Sequence, residues 1–240
     1  MLSIEQKLRT ALYPLYSELI EDVAPYSEEY ELVAFAAQWG ESFPNKENDG
    51  ILFVGRATNG WTYLTPDVDV LFGETNEAIF NQPNQMQWVH DAAGNPDGYN
   101  SRKSAFWRVI RGVSREFYPD PELSHVAWSN VSKIAPDGAN PSDELYYAQL
   151  GACQKILKAE ISALSPRFVV FLTGNAWCRD FLDYLIPPVE QKVIDVAPWS
   201  RYSARVYERK GVFYLVSEHP QRKKEASHID ALTKMIAKYQ

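Results

Sequence analysis

Ile51-Leu-Phe-Val-Gly-Arg-Ala-Thr-Asn-Gly-Trp61 opens with four apolar residues and then breaks into a loop holding two glycines and an Asn. An apolar run bounded by Gly50 and Gly55 reads as a strand buried on both faces. The loop residues tolerate positive φ and let a backbone or ligand approach closely. Ligands of open parallel sheets bind just past the carboxyl ends of strands. Gly55-Arg56-Ala57-Thr58-Asn59-Gly60 is therefore the first candidate for a site, set against the plainer reading of a turn that only reverses the chain.

Three more apolar runs follow the same pattern. Val126-Ala-Trp-Ser-Asn130 ends in a carboxamide, Phe168-Val-Val-Phe-Leu172 runs into Thr173-Gly174, and Val212-Phe-Tyr-Leu-Val216 runs into Ser217-Glu218-His219-Pro220. Helical periodicity separates them, at about 104–117, from Asn140 to before Pro166 and from about 176 to 185, and a last helix from about 224 to 238 closes the chain. Strands alternating with helices imply a parallel sheet with helices on both faces. The expected fold is a three-layer α/β/α sandwich around a four-stranded parallel sheet, as one domain over 1–240. Residues 1–48 are expected to form a helical layer ahead of a core at 49–240. In that layer, Ser3-Ile-Glu-Gln6 has capping-box spacing and Pro14 predicts a kink or break. A second helix is expected from about Ser27, stopped by Gly40. Residues 62–100 read as a long irregular segment, and such segments are usually functional or disordered.

Composition narrows the function. The net charge is −7 over 240 residues, which argues against nucleic-acid binding by general electrostatics but leaves room for a local basic face. No apolar run approaches the ~18 residues of a membrane span, and Met1-Leu-Ser-Ile-Glu-Gln-Lys7 lacks the marks of a secretory leader. With two cysteines, Cys153 and Cys178, a reduced cytoplasmic setting is the expectation. Two thiols cannot by themselves build a four-thiolate cluster or zinc site. On helix 104–117, Arg108, Arg111 and Arg115 lie opposite the apolar side, and a solvated basic face is the favoured reading.

Taken in order, these motifs resemble the uracil-DNA glycosylase superfamily. Asn130-Val-Ser-Lys-Ile-Ala-Pro136 followed by Asn140-Pro-Ser-Asp-Glu144 is similar to a segment of its iron–sulfur branch. So are Cys153-Gln-Lys-Ile-Leu157 and the third strand from Leu164 to Gly174. Phe106-Trp107 resembles the Phe-Trp helix of mismatch-specific members. The resemblance spans about 50–236. It implies an enzyme that draws a base out of the DNA stack. It assigns Asn130 to reading the base edge, with Gly55 and Arg56 in the pocket loop. Trp61, Tyr63 or Phe72 would stack on the base. His219 would stabilise charge on the departing base. Lys133 and the run Gln221-Arg222-Lys223-Lys224 would meet DNA phosphates.

The departures are equally specific. Members commonly carry an acid or Asn in the first loop, where this chain has Arg56-Ala57, and Arg cannot act as a base. Asn59 could position a water, and Glu218 beside His219 could replace the acid. Ile134 stands where a cluster cysteine would be, so no iron–sulfur cluster is expected, nor any other metal or cofactor. DNA is the expected partner, with no membrane and a monomeric chain. Two alternatives stay open: an inactive relative binding DNA or a protein, and a protein acting on a free nucleotide whose phosphate sits in the glycine loop.

Overall fold

Ser3 starts the first helix with both halves of a capping box: its side chain accepts from the Gln6 backbone, and Gln6 reaches back to the Ser3 N–H at 3.0 Å. The computed structural model of the chain describes residues 2–29, 31–44, 46–58, 62–63 (backbone only), 67–73 and 84–240. Along it lie α1 (Ile4–Val23), β1 (Leu32–Ala34), β2 (Gln38–Trp39), β3 (Ile51–Gly55), β4 (Thr62–Tyr63), α2 (Asp69–Phe72), α3 (Gln87–Asp91) and α4 (Ala105–Ser114). Then come β5 (Val126–Asn130), β6 (Ile134–Pro136), α5 (Asp143–Leu164), β7 (Phe168–Leu172), α6 (Asn175–Leu185), β8 (Asp195–Trp199), β9 (Tyr202–Arg209), β10 (Val212–Ser217) and α7 (Glu225–Tyr239). Contacts group the chain into two units, each drawn from three segments. One takes Met1–Ala37, Arg56–Pro83 and Ser129–Leu164, the other Gln38–Gly55, Asn84–Trp128 and Ser165–Gln240.

In the first unit α1 lies against α5. Leu8, Leu12, Tyr16 and Leu19 are buried from α1, and Ile156, Leu157 and Ile161 from α5. Each such side chain contributes roughly 1.5–3 kcal/mol when withdrawn from water. Tyr16 is the polar exception, and its hydroxyl donates to the Phe35 carbonyl at 2.5 Å. A small antiparallel sheet, β4-β1-β6, completes this unit.

The large sheet has the order β2-β5-β3-β7-β10-β9-β8 and, apart from the last two residues of β5, is drawn from the second unit. The four strands expected from sequence are its four neighbouring central ones. β3 pairs with β7 and β7 with β10, both in parallel. Phe53, Val170 and Leu215 thereby fall in register, all buried. Antiparallel strands extend the sheet beyond the expected four: β2 on β5, and the β9–β8 hairpin on β10. Helices flank the sheet, with α4 on α7, α7 on β8 and β9, and α6 on β10. The expected α/β class, a mostly parallel central sheet between helices, is the class found.

One N-terminal expectation is corrected, and one of two alternatives at Pro14 is removed. No helix starts at Ser27 and runs to Gly40; Leu32–Ala34 and Gln38–Trp39 are strands. All six residues from Leu32 to Ala37 are buried. In a continuous apolar run of this length, periodicity cannot separate a short strand from a buried helix. Of the kink or break expected at Pro14, the break does not occur: α1 continues to Val23.

Gly40 is not a helix stop but a close crossing. A Cβ there would lie 2.1 Å from the Ser124 carbonyl oxygen, a backbone atom that cannot rotate aside. The Gly40 and Ser42 amides also donate to Val126 and Ser124 carbonyls at 3.0 and 2.9 Å. Gly40→Ala is expected to lose about 1–3 kcal/mol through forced overpacking. Urea denaturation checks this, and an unchanged midpoint would contradict the crossing.

Candidate active site

Because β3, β7 and β10 run parallel, their carboxyl ends at Gly55, Leu172 and Ser217 lie on one edge of the sheet. Gly174 follows β7 with φ 83°, a conformation glycine adopts without strain. Its amide donates to the Ser217 carbonyl at 2.9 Å, fastening the end of β7 to the end of β10.

His219 follows two residues after Ser217, and α4 braces it. The Phe106 ring stacks on the imidazole with centroids 6.2 Å apart and planes 12° from parallel. Phe106 leans on Trp107, and Trp107 meets Trp88 and Trp128 at 5.5 and 5.0 Å. Next along α4, Arg108 grips Glu225 of α7 with a two-pronged fork of 2.8 and 2.6 Å. Thus α4 holds both the imidazole and the helix that follows it. The Gln221 backbone N–H donates to His219 Nδ1 at 3.3 Å. That hydrogen bond assigns the proton of the neutral ring to Nε2, which becomes a donor.

The layer beneath is polar but neutral. Ser217 Oγ lies 2.8 Å from Nε2 of His228, whose ring stacks on Trp199 at 3.9 Å. Burial, then the charges of Lys223 and His219, push the His228 pKa down to about 3. A second cation is thereby kept from beneath the His219 loop.

In the first unit, Asn130 ends a segment fixed by a buried network. Lys133 Nζ bonds both Glu160 oxygens at 2.9 and 2.8 Å and Ser129 Oγ at 2.7 Å. Ser129 Oγ lies 2.6 Å from Glu160 Oε2. Gln149 Oε1 accepts from the Lys133 and Ile134 amides at 3.1 and 3.0 Å, and its Nε2 donates to the Ile134 carbonyl at 2.7 Å. The Ser132 amide donates to the Arg56 carbonyl at 2.9 Å, tying the first loop to this segment. Within so complete a network three polar groups stand out. Asn130 Nδ2, Ser132 Oγ and Thr58 Oγ1 have no hydrogen-bond partner among the described residues. Their residues are only 2%, 0% and 2% exposed. Buried polar groups are nearly always paired, so such orphans call for an explanation, and a ligand is one.

Several expected site residues are corrected. Lys133 cannot meet DNA phosphate, because its ammonium is fully buried and committed to Glu160. Phe72 is not an open stacking platform. It is 1% exposed and packs edge-on against Tyr16 at 4.9 Å. Lys223 turns back on its own loop, donating to the His219 carbonyl at 2.9 Å and standing 3.9 Å from Glu218. Gln221, Arg222 and Lys224 are exposed, as phosphate contacts need to be. Tyr63 pairs through its backbone with Val33. Asn59, Trp61 and the side chain of Tyr63 lie outside the described residues. Arg111 and Arg115 reach buried Glu122 at 3.2 and 3.5 Å, so Arg108, Arg111 and Arg115 hold structure together.

Some candidates went unnoticed in the sequence. Thr58 and Ser132 sit inside the quoted motifs, but only their burial without a partner marks them. Arg201 and Arg205 lie on the β8–β9 hairpin, where Ala204 and Val206 are buried and Arg205 exposed. That period-two pattern was the available signal. No helix among the described residues is long and apolar enough to cross a membrane. A family model described as the uracil DNA glycosylase superfamily matches residues 40–234. No curated protein matches the chain.

Proposed function

Because this chain belongs to the uracil DNA glycosylase superfamily, we propose that it acts on a base in DNA, hydrolysing the N-glycosidic bond of uracil or a damaged base. The observation that carries this reading is the buried, unpartnered Nδ2 of Asn130. A carboxamide N–H withdrawn from water and left unpaired costs about 1–3 kcal/mol, which a ligand carbonyl would recover. A base swung out of the stack presents such a carbonyl on its pairing edge. Thr58 and Ser132 add hydroxyls that can each donate or accept.

The chemistry assigned to His219 follows from its proton. Cleavage of the glycosidic bond leaves negative charge on the departing base. An Nε2–H held in place by the Gln221 amide and the Phe106 ring can donate to that charge without reorganising. Asn59 and Glu218 are the candidates for placing the attacking water. Arg56 supports a second reading, an inactive relative that binds DNA, because the first loop lacks the acid that members commonly carry there.

Single- and double-stranded oligonucleotides carrying uracil, hypoxanthine or a mismatch separate the two. Abasic-site formation on at least one substrate is the expected result. Binding of every substrate with cleavage of none would favour the inactive relative.

A further inference from the structure

The sheet edge that carries His219 also borders an open cleft of about 460 Å³. Among its walls are Asn175, Arg201, Tyr202, Ser203, Arg205 and Glu218. All belong to the second unit. Its size falls in the range of small-ligand sites, which run about 300–1,000 Å³, but its lining is polar and cationic rather than apolar.

We propose that this cleft holds a phosphodiester of a nucleic-acid strand, with Arg201 and Arg205 as its two cationic contacts. This rests on the nucleic-acid reading above and extends it to a subsite that the family-matched motifs do not include. Ser203 and Arg205 alternate with buried Ala204, so strand geometry sets those two on one face of β9, and Arg201 joins them in the cleft lining from the turn just before the strand. The backbone of Arg205 pairs within the sheet, but its guanidinium has no hydrogen-bond or ion-pair partner among the described residues, unlike those of Arg108, Arg111 and Arg167. Arg201 is positioned through Tyr202. Its Nε bonds the Tyr202 hydroxyl at 3.0 Å, and its guanidinium lies 5.2 Å from the ring centroid. The terminal nitrogens are left for an anion, which guanidinium recognises in a fork. Asn175 opens α6, so the positive end of an 11-residue helix faces the same lining.

Charge favours a diester over free phosphate. Glu218 is the carboxylate in the wall, with Lys223 Nζ 3.9 Å away as its counter-charge. Two arginines beside this partly neutralised acid suit a single negative charge. A phosphomonoester carries about −1.5 to −2 at pH 7 and would meet the carboxylate more strongly.

The test is fluorescence anisotropy with a lesion-free single-stranded thymidine 12-mer, read across a salt series. No base is cleaved, so the outcome does not depend on catalysis. Arg201→Gln/Arg205→Gln should raise Kd at least tenfold at low salt. It should also flatten the slope of log K against log salt by about 1.4, since each single-strand phosphate contact contributes about 0.7. Arg205→Lys alone should keep most of the slope. The charge-matched control Lys192→Gln/Lys210→Gln should stay within twofold of wild type. An unchanged Kd and slope in the arginine double variant, with sound wild-type binding, overturns the subsite but leaves the nucleic-acid reading standing. Absence of wild-type binding at low salt overturns both. Displacement of the oligonucleotide by millimolar thymidine monophosphate or inorganic phosphate would reassign the cleft to free phosphate and overturn the strand proposal.

Discussion

Lys133→Met is expected to destabilise the protein by about 3–5 kcal/mol, because it strands the Glu160 carboxylate in a fully buried position. The wild-type pair is satisfied on both sides, with Ser129 Oγ bridging ammonium and carboxylate. Taking out one member leaves an uncompensated charge, whereas taking out both leaves a packing problem and a buried Ser129 hydroxyl without these two partners. The double variant Lys133→Met/Glu160→Leu should therefore recover most of the loss, and it could equal wild type, since buried ion pairs often contribute little net stability. Urea denaturation of the two single variants and the double gives the coupling directly. Singles that each cost under ~1 kcal/mol would mean that water reaches the pair and that the network is not closed.

His219→Ala is expected to lower the rate of base release by ~10²–10³ while leaving DNA affinity nearly unchanged. The asymmetry follows because charge on the leaving base develops in the transition state, so a donor aimed at it has little to bind beforehand. Asn130→Ala should act differently. It removes hydrogen bonds that exist once the base is in the pocket, so discrimination between bases should fall along with rate. Single-turnover cleavage and anisotropy binding, run on the same substrates, separate the two effects. Turnover left intact by both substitutions would place the chemistry elsewhere. The single variant Phe106→Ala offers a structural echo: without the stacked ring, the imidazole loses its brace, and a smaller rate loss is expected.

The central strands were legible because Ile51–Val54, Phe168–Leu172 and Val212–Val216 are unbroken apolar runs, each bounded by polar or turn residues. Their polar ends, Gly55, Gly174 and His219, could be placed from the parallel-sheet rule alone. Leu32–Trp39 was not legible, since the same composition suits a buried helix. Lys133 misled for another reason. A lysine beside a motif Asn looks available for phosphate until the carboxylate that claims it is known, and Glu160 lies 27 residues further along the chain. Phe72 likewise reads as a free ring until Tyr16, far upstream, is packed against it. The orphaned hydroxyls of Thr58 and Ser132 are defined by a missing partner, and a sequence records no absences of that kind.

The position of β10 between β7 and β9 has a consequence for synthesis. Until residue 217 has left the ribosome, β7 presents an open edge of backbone amides and carbonyls, flanked by Val169, Val170 and Phe171. Such an edge recruits other strands. A nascent or truncated chain that stops short of β10 would be sticky rather than merely inactive, and the strand that delivers His219 is also the one that seals that edge.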